Sequence, residues 1–269
     1  MHYREIKPHP RLEPFVKCFW YMERDYSVPG AEEVVWPDGK TELLCLTGTA
    51  SYENAGTVLP RSFLIGPLTR PLPLTAPGVV RLVGVRFLPW GFWPFSRKPV
   101  SALRDQVVPH VSGVGELPAD DLSEAAAQLE GALLRRLDEE GVANHPLVAP
   151  LAQAIVEAEG ALSAIDLERR AGVTTRHLER LFSEVVGLTP KKLSVILRFD
   201  KARRVLFWNP RADLTDVAHD LGYYDHSHFI RDFRALFGMT PSEFKEWTAR
   251  QRASTRRPPQ VGFLQEEPS

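Results

Sequence analysis

The apolar positions of this 269-residue chain change period part-way along. Up to about residue 118 they come in short β-type runs, Val34–Trp36, Glu42–Leu46, Arg61–Ile65 and Val79–Phe87. Turn-forming stretches such as Pro37-Asp38-Gly39 and Ala76-Pro77-Gly78 separate them. The run Val79–Phe87 places Val79, Val83, Val85 and Phe87 on one face and Val80, Leu82 and Arg86 on the other, with Arg81 intruding on the first. Over 120–140 the spacing turns helical. Leu122, Ala126, Leu129, Leu133 and Leu137 recur every three or four residues, a stripe suited to packing on the sheets or on its twin in a second copy. Gly141–Pro150 reads as a linker, Leu151 to about Arg250 is helical in pattern, and residues 251–269 are expected to be disordered. The pattern predicts an α+β chain: a β-rich barrel or sandwich with a helical segment over 1–140, a linker over 141–150, and an all-α unit over 151–250.

The helical part repeats itself. Ala171–Leu193 and Leu221–Phe244 match in order at His177/His228, Leu178/Phe229, Arg180/Arg231, Phe182/Phe233, Gly187/Gly238 and Thr189-Pro190/Thr240-Pro241. Two copies of about fifty residues are too few for a solenoid and leave a pair of small modules working as a unit. Each copy opens with a short helix, Ala164–Arg170 or Leu214–Asp220, that stops at a glycine, Gly172 or Gly222. Thr174 and Asp225 then supply N-caps for a second helix that runs to Gly187 or Gly238. Helix, tight turn, helix is the unit whose second helix enters the major groove of DNA.

The side-chain spacing fits that use. In the first copy Leu178, Leu181, Phe182 and Val185 form the apolar stripe, which turns Arg176, Glu179, Arg180 and Ser183 outward. In the second, Phe229, Phe233, Leu236 and Phe237 point inward and His226, Ser227, Ile230, Arg231 and Arg234 outward. Arg180 and Arg231 hold the same register, and arginine is shaped for two-pronged contact with guanine. Thr189–Trp208 reads as one capped helix with Pro190 at its first position. About twenty residues span about 30 Å, close to the roughly 34 Å between successive major grooves. Lys191, Lys192, Arg198, Lys201, Arg203 and Arg204 on that helix, with Thr174, Ser183 and Arg234, are candidates for contact with the phosphate backbone.

Charge sharpens the division. Residues 1–144 carry 15 Lys and Arg against 18 Asp and Glu, whereas 145–257 carry 18 against 14, so the repeated part is the basic part. No apolar run reaches the roughly 20 residues that span a bilayer, and MHYREIKPHPRLEPF lacks the core of a signal peptide, so a cytoplasmic protein without membrane contact is expected. Cys18 and Cys45 are read as two small buried thiols.

At these residues the chain resembles the AraC/XylS family of bacterial transcriptional regulators. The resemblance runs from Pro146 to Arg250. It is most specific in DLTDVAHDLGYYDHSHFIRDFRALFGMTPSEF, where the family's Ala218, Gly222, Phe229, Phe233, Phe237, Gly238, Thr240 and Pro241 all occur. The resemblance implies two helix-turn-helix modules joined by a long helix, binding promoter DNA and in many members activating transcription by touching RNA polymerase. Carried over by position, Arg176, Glu179 and Arg180 read bases in one groove and His226, Ser227 and Arg231 in the next. Glu179 departs from the amide or small polar residue of many relatives. Upstream, WPDGKTELL, SFLIGPLTRPL and VRLVGVRFLPWG resemble a cupin-like domain, which in that setting senses a small molecule or pairs subunits in a homodimer.

A metal-dependent cupin enzyme is the first rival. No histidine lies between Pro10 and Pro109, so the strands cannot assemble the paired-histidine cluster such a site needs, and neither metal nor cofactor is expected. An alkyl-accepting repair regulator is disfavoured because Cys18 and Cys45 lack zinc-site spacing, and no catalytic triad has local support. If the N-terminal unit binds an effector, Trp20, Trp36, Glu42, Arg86 and Trp90 are the candidates, although buried aromatics and rim charges also serve structure alone.

Overall fold

The computed structural model describes residues 2–27, 33–52, 56–96, 98–109, 122–141 and 143–254. Among these residues ten strands are arranged in two antiparallel sheets. The larger has the order β1 (His2–Ile6), β2 (Val16–Asp25), β9 (Val79–Phe87), β4 (Glu42–Thr47), β7 (Ser62–Ile65), β10 (Val107–Pro109). The smaller runs β3 (Glu33–Val35), β8 (Leu72–Thr75), β5 (Ser51–Tyr52), β6 (Thr57–Val58). A short helix α1 (Trp93–Ser96) and a 3-10 turn at Val100–Leu103 precede β10.

The alternation read from Val79–Phe87 has a physical counterpart in two apolar layers. Val83, Val85 and Phe87 face α2 (Leu122–Glu140), whose Ala126, Leu129 and Leu133 are buried against them. Val80 and Leu82 face the smaller sheet, together with Trp20, Leu44 and Phe63. The α2 stripe is therefore used within its own unit. Arg81 is accommodated at the sheet surface by a cross-strand ion pair, its Nε 2.6 Å from Glu23 Oε2. Between the sheets the residual void is only about 20 Å³, room for about one water.

Strand β2 was not among the runs expected, because one face is wholly buried but ends in Arg24, and the half-buried other face carries Phe19 and Tyr21 among its charges, which masks the alternation. One face carries charge inward. Arg24 and Glu33, each 4 % exposed, pair at 2.8 Å, and Arg86, also 4 % exposed, donates from Nε to Glu42 Oε1 at 2.6 Å while lying over the Trp20 ring at 5.6 Å. Burial pushes the Glu42 carboxyl above the ordinary carboxylate value, with the Arg86 guanidinium opposing that shift.

The helices of the second half are α3 (Val148–Glu157), α4 (Ala164–Ala171), α5 (Thr175–Val185), α6 (Pro190–Trp208), α7 (Leu214–Asp220), α8 (His226–Phe237) and α9 (Pro241–Ser254). Two boundaries differ from expectation. Helix α3 begins inside the segment read as linker, because the His145 ring accepts the free N–H groups of Leu147 and Val148 at 3.3 and 3.2 Å. Helix α9 continues to Ser254, four residues into the stretch expected to be disordered, with Gln251 buried against the N-terminal unit. The rest of that stretch, 255–269, lies outside the described residues.

Candidate nucleic-acid interface

Each helix of the repeat starts on a side-chain cap. Ser163 opens α4, Thr174 α5, Thr189 α6, Asp213 α7 and Asp225 α8, each accepting a backbone N–H two or three residues ahead. Helix α9 opens with a reciprocal pair, Thr240 and Glu243 each accepting the other's backbone N–H at 3.2 and 2.7 Å. Gly172 ends α4 with φ +62, the left-handed conformation that a side chain resists, so the chain turns sharply into α5.

Aromatic packing then orients the second helix of each module. Phe182 and Leu178 anchor α5, while Phe229, Phe233 and Phe237 of α8 meet Phe199 of α6 with ring centroids 6.0 to 6.5 Å apart. With one side of each helix fixed inward, Arg176, Glu179 and Arg180 are exposed on α5, and His226, Ser227, Arg231 and Arg234 on α8. The repeat-equivalent arginines are about equally free, Arg180 with 62 % and Arg231 with 67 % of the side chain exposed. Their nearest carboxylates, Glu184 and Asp232, stand 3.8 and 4.0 Å away, at the outer limit of an ion pair.

Residues 167–246 match a family model described as a helix-turn-helix domain, and residues 4–109 match one described as a domain of unknown function, DUF6597. The HTH-type transcriptional regulator CdhR of Pseudomonas aeruginosa is 36 % identical over 105 residues, covering 38 % of this chain and 30 % of that protein. The HTH-type transcriptional regulator GlxA of Rhizobium meliloti is 32 % identical over 125 residues, or 46 % of this chain and 37 % of that one. Residues 167–246 are a helix-turn-helix domain, within the part of the chain that is similar to these regulators. The chain thus spans about a third of the length of the curated regulators it matches. A crystal structure of apo ToxT from Vibrio cholerae aligns over 86 % of this chain and 97 % of that one, at 10 % identity and a TM-score of 0.48.

Within the helix-turn-helix domain several cations read as phosphate contacts are engaged elsewhere. Arg203 is fully buried, its Nη2 2.5 Å from Asp200 Oδ1. Lys201 and Arg204 reach Glu159, in the α3–α4 turn, at 2.5 and 3.4 Å. An acid three residues before Arg203 is the signal that could have removed it from the list. Ser183 is half-buried and takes a 3.4 Å hydrogen bond from Arg104 of the N-terminal unit. Thr174 and Lys191 stay exposed, and Lys192 is half-buried. Tyr224, not singled out in the sequence, stands fully exposed just before the cap of α8. The second turn is one residue longer than the first between its glycine and its cap, which is why the ring projects.

Of the five effector candidates Trp20, Glu42 and Arg86 meet one another, whereas Trp36 and Trp90 lie apart from them. Arg86 lines a cleft of about 310 Å³ between the two units, facing Asp38, Lys40, Asp200 and Arg204. Trp20 is fully buried and its ring stacks with that of Tyr3, while Glu42 is the buried partner of Arg86. Trp90 donates its Nε1 proton to Pro14 O at 3.1 Å, and Trp36 packs on the C-terminal helices. Cys18 and Cys45 are free thiols. Among the described residues no cluster of three His, Cys, Asp or Glu is placed to hold a metal, and no helix is long and apolar enough to cross a membrane.

The caps carry a pH dependence. Backbone N–H groups of Ser227 and Thr215 hold the Asp225 and Asp213 carboxyls below their ordinary value, and that of Thr240 does the same for Glu243. A carboxyl whose pKa is depressed by folding adds stability that is present above its unfolded value and lost as pH falls through the folded one. The melting temperature of the C-terminal helices should therefore hold steady down to about pH 4, the unfolded carboxylate range, and fall below it. In an Asp225→Asn, Asp213→Asn variant that acid limb should be shallower, as thermal scans at graded pH would register.

Proposed function

We propose that this chain is a sequence-specific DNA-binding transcriptional regulator, an activator as its family resemblance implies, and not an enzyme. One observation carries the reading: two capped, repeat-equivalent helices, α5 and α8, present Arg180 and Arg231 in the same register, both about two-thirds exposed. Helix α6 between the modules is 19 residues, or about 28 Å at 1.5 Å per residue. That length suits two successive major grooves on one side of a duplex. Arg176, Glu179 and Arg180 read one groove and His226, Ser227 and Arg231 the other, while Thr174, Lys191, Lys192 and Arg234 hold phosphates. Because the two triplets differ, the two segments of an operator differ in sequence. Contact with promoter-bound RNA polymerase belongs to the same reading, as does a cytoplasmic location. The polar cleft of about 310 Å³ that Arg86 lines, or the more open one of about 660 Å³ beside Trp90, rather than the filled space between the sheets, offers room to a small-molecule effector. If the N-terminal unit instead only pairs subunits, both clefts stay without a ligand.

The test is a pair of variants of the full chain, Arg180→Ala and Arg231→Ala, titrated against a panel of single-base-changed operators. Each should relax preference at its own segment by about 1–3 kcal/mol, the worth of a two-pronged guanine contact, and leave the other segment unchanged. Equal loss on every sequence would mean that these arginines bind phosphate and that the assignment of base readers is wrong.

A further inference from the structure

Two motifs of the N-terminal unit, Trp36-Pro37-Asp38-Gly39-Lys40 and Gly66-Pro67-Leu68-Thr69-Arg70-Pro71, lie against the C-terminal helices, although Leu68 also packs into the core between the sheets. They meet the repeat at equivalent points. Gly187 and Gly238 follow the reading helices α5 and α8 and are both left-handed, with φ +79 and +72. A Cβ at Gly187 would lie 2.7 Å from Pro67 Cγ, and one at Gly238 would lie 3.8 Å from Pro71 Cγ. Pro67 and Pro71 are four residues apart, a span of at most about 14 Å. One short segment thus packs on the C-terminal end of α5 and runs close to that of α8.

That segment is itself held firmly. Asp105 accepts from Thr69 N and Thr69 Oγ1, both at 2.6 Å, and its own N–H donates to Pro67 O at 3.2 Å. Gly66 lies so close to the Leu103 carbonyl that a Cβ would stand 1.9 Å from the oxygen. From the same corner Arg104 Nε donates to Gly187 O at 2.7 Å, setting a cation on the carbonyl end of α5, where the helix dipole favours it. At the second module the Trp36 ring meets Phe237 at the end of α8, and Phe244 and Trp247 of α9, with centroids 5.5 to 5.6 Å apart and planes near perpendicular. Arg24 adds a 3.1 Å hydrogen bond to Gln251. None of these contacts covers the exposed residues of α5 or α8.

We propose that the N-terminal unit is a strut that fixes the separation and mutual orientation of α5 and α8, with Arg104 and Trp36 as positioning residues that set the spacing of the two DNA segments. The proposal rests on the two-groove reading above. One added base pair moves the second segment by about 3.4 Å and turns it by about 35° around the duplex. Packed contacts do not yield by that much without breaking. Helix α6 ties the modules together from one side, and the strut ties the far ends of the reading helices from the other.

Selection from a random-sequence duplex library by the full chain tests this. The wild type should enrich two segments at a single separation. Arg104→Ala, which trims a half-buried side chain at the first module, and Trp36→Ala at the second should enrich the same segments with separations spread over two or more base pairs. Trp36→Phe keeps an aromatic edge in the cage and removes an indole N–H that has no acceptor among the described residues, so the single separation should return. If Trp36→Ala melts too early to select with, Arg104→Ala decides alone. A separation as sharp in Arg104→Ala as in the wild type overturns the strut and leaves the two-groove reading standing. Failure of the wild type to enrich any paired site overturns both.

Discussion

Phe233→Ala should cost the C-terminal helices about 3–5 kcal/mol, the range for truncating a buried phenylalanine. Phe233 has no exposed surface and sits at the centre of an aromatic group, with ring centroids of Phe237, Phe229, Phe244 and Phe199 at 4.6, 5.8, 6.0 and 6.1 Å. Three elements, α6, α8 and α9, lose their common contact at once, so the void cannot close by a shift of one neighbour. Total stabilities of about 5–15 kcal/mol make such a loss a large share of the whole. Melting should fall by roughly 6–20 °C at about 2–4 °C per kcal/mol. Arg231→Ala, two residues away on the exposed side of the same helix, should leave melting unchanged. Equal stability of Phe233→Ala and wild type would mean that the aromatic group does not hold the second module.

Glu42→Ala should be as damaging in the N-terminal unit, also about 3–5 kcal/mol, because it strands a buried guanidinium. Arg86 and Glu42 are 4 % and 6 % exposed; of the other acids near Arg86, Glu5 is 3.2 Å away but 31 % exposed, and Asp38 is paired with Lys40 at 3.1 Å. The penalty arises from the charge left behind rather than from the bond removed. Replacing both partners, Glu42→Met with Arg86→Met, should therefore recover most of the loss. Denaturant unfolding of the two single variants and the double variant checks this. A double variant as unstable as the sum of the singles would assign the effect to packing.

What could be read from the sequence was what local chemistry writes. Thr174, Thr189 and Asp225 cap the helices they were expected to open, and Gly172 turns left-handed where the first helix of its module stops. The repeat register placed Arg180 and Arg231 on exposed faces because Phe182 and Phe233 occupy the buried ones. What escaped depends either on partners distant in the chain or on burial and ring geometry that a local spacing does not reveal. Strand β2 hides its period because Phe19 and Tyr21 stand on its half-buried face, and Arg24 is tolerated inside because Glu33 and Gln251 meet it there. Arg203 looks like any helix-surface cation until its burial with Asp200 is known. Trp36 was read as a candidate for effector binding, since nothing near it in sequence reveals that its ring faces Phe237, Phe244 and Trp247, about two hundred residues on. His145 seeds α3 within a stretch whose prolines and glycine suggest only a linker.

Footprinting of the full-length protein on the DNA flanking its own gene tests the two-groove reading most directly. It should protect two segments of different sequence on one face of the duplex, centred about 10 base pairs apart. Binding there should exceed binding to unrelated DNA by at least about 10³ at physiological salt and weaken as salt rises. Protection of a single segment, or binding that does not distinguish the flanking DNA from unrelated duplex, would contradict a chain that reads two grooves with α5 and α8.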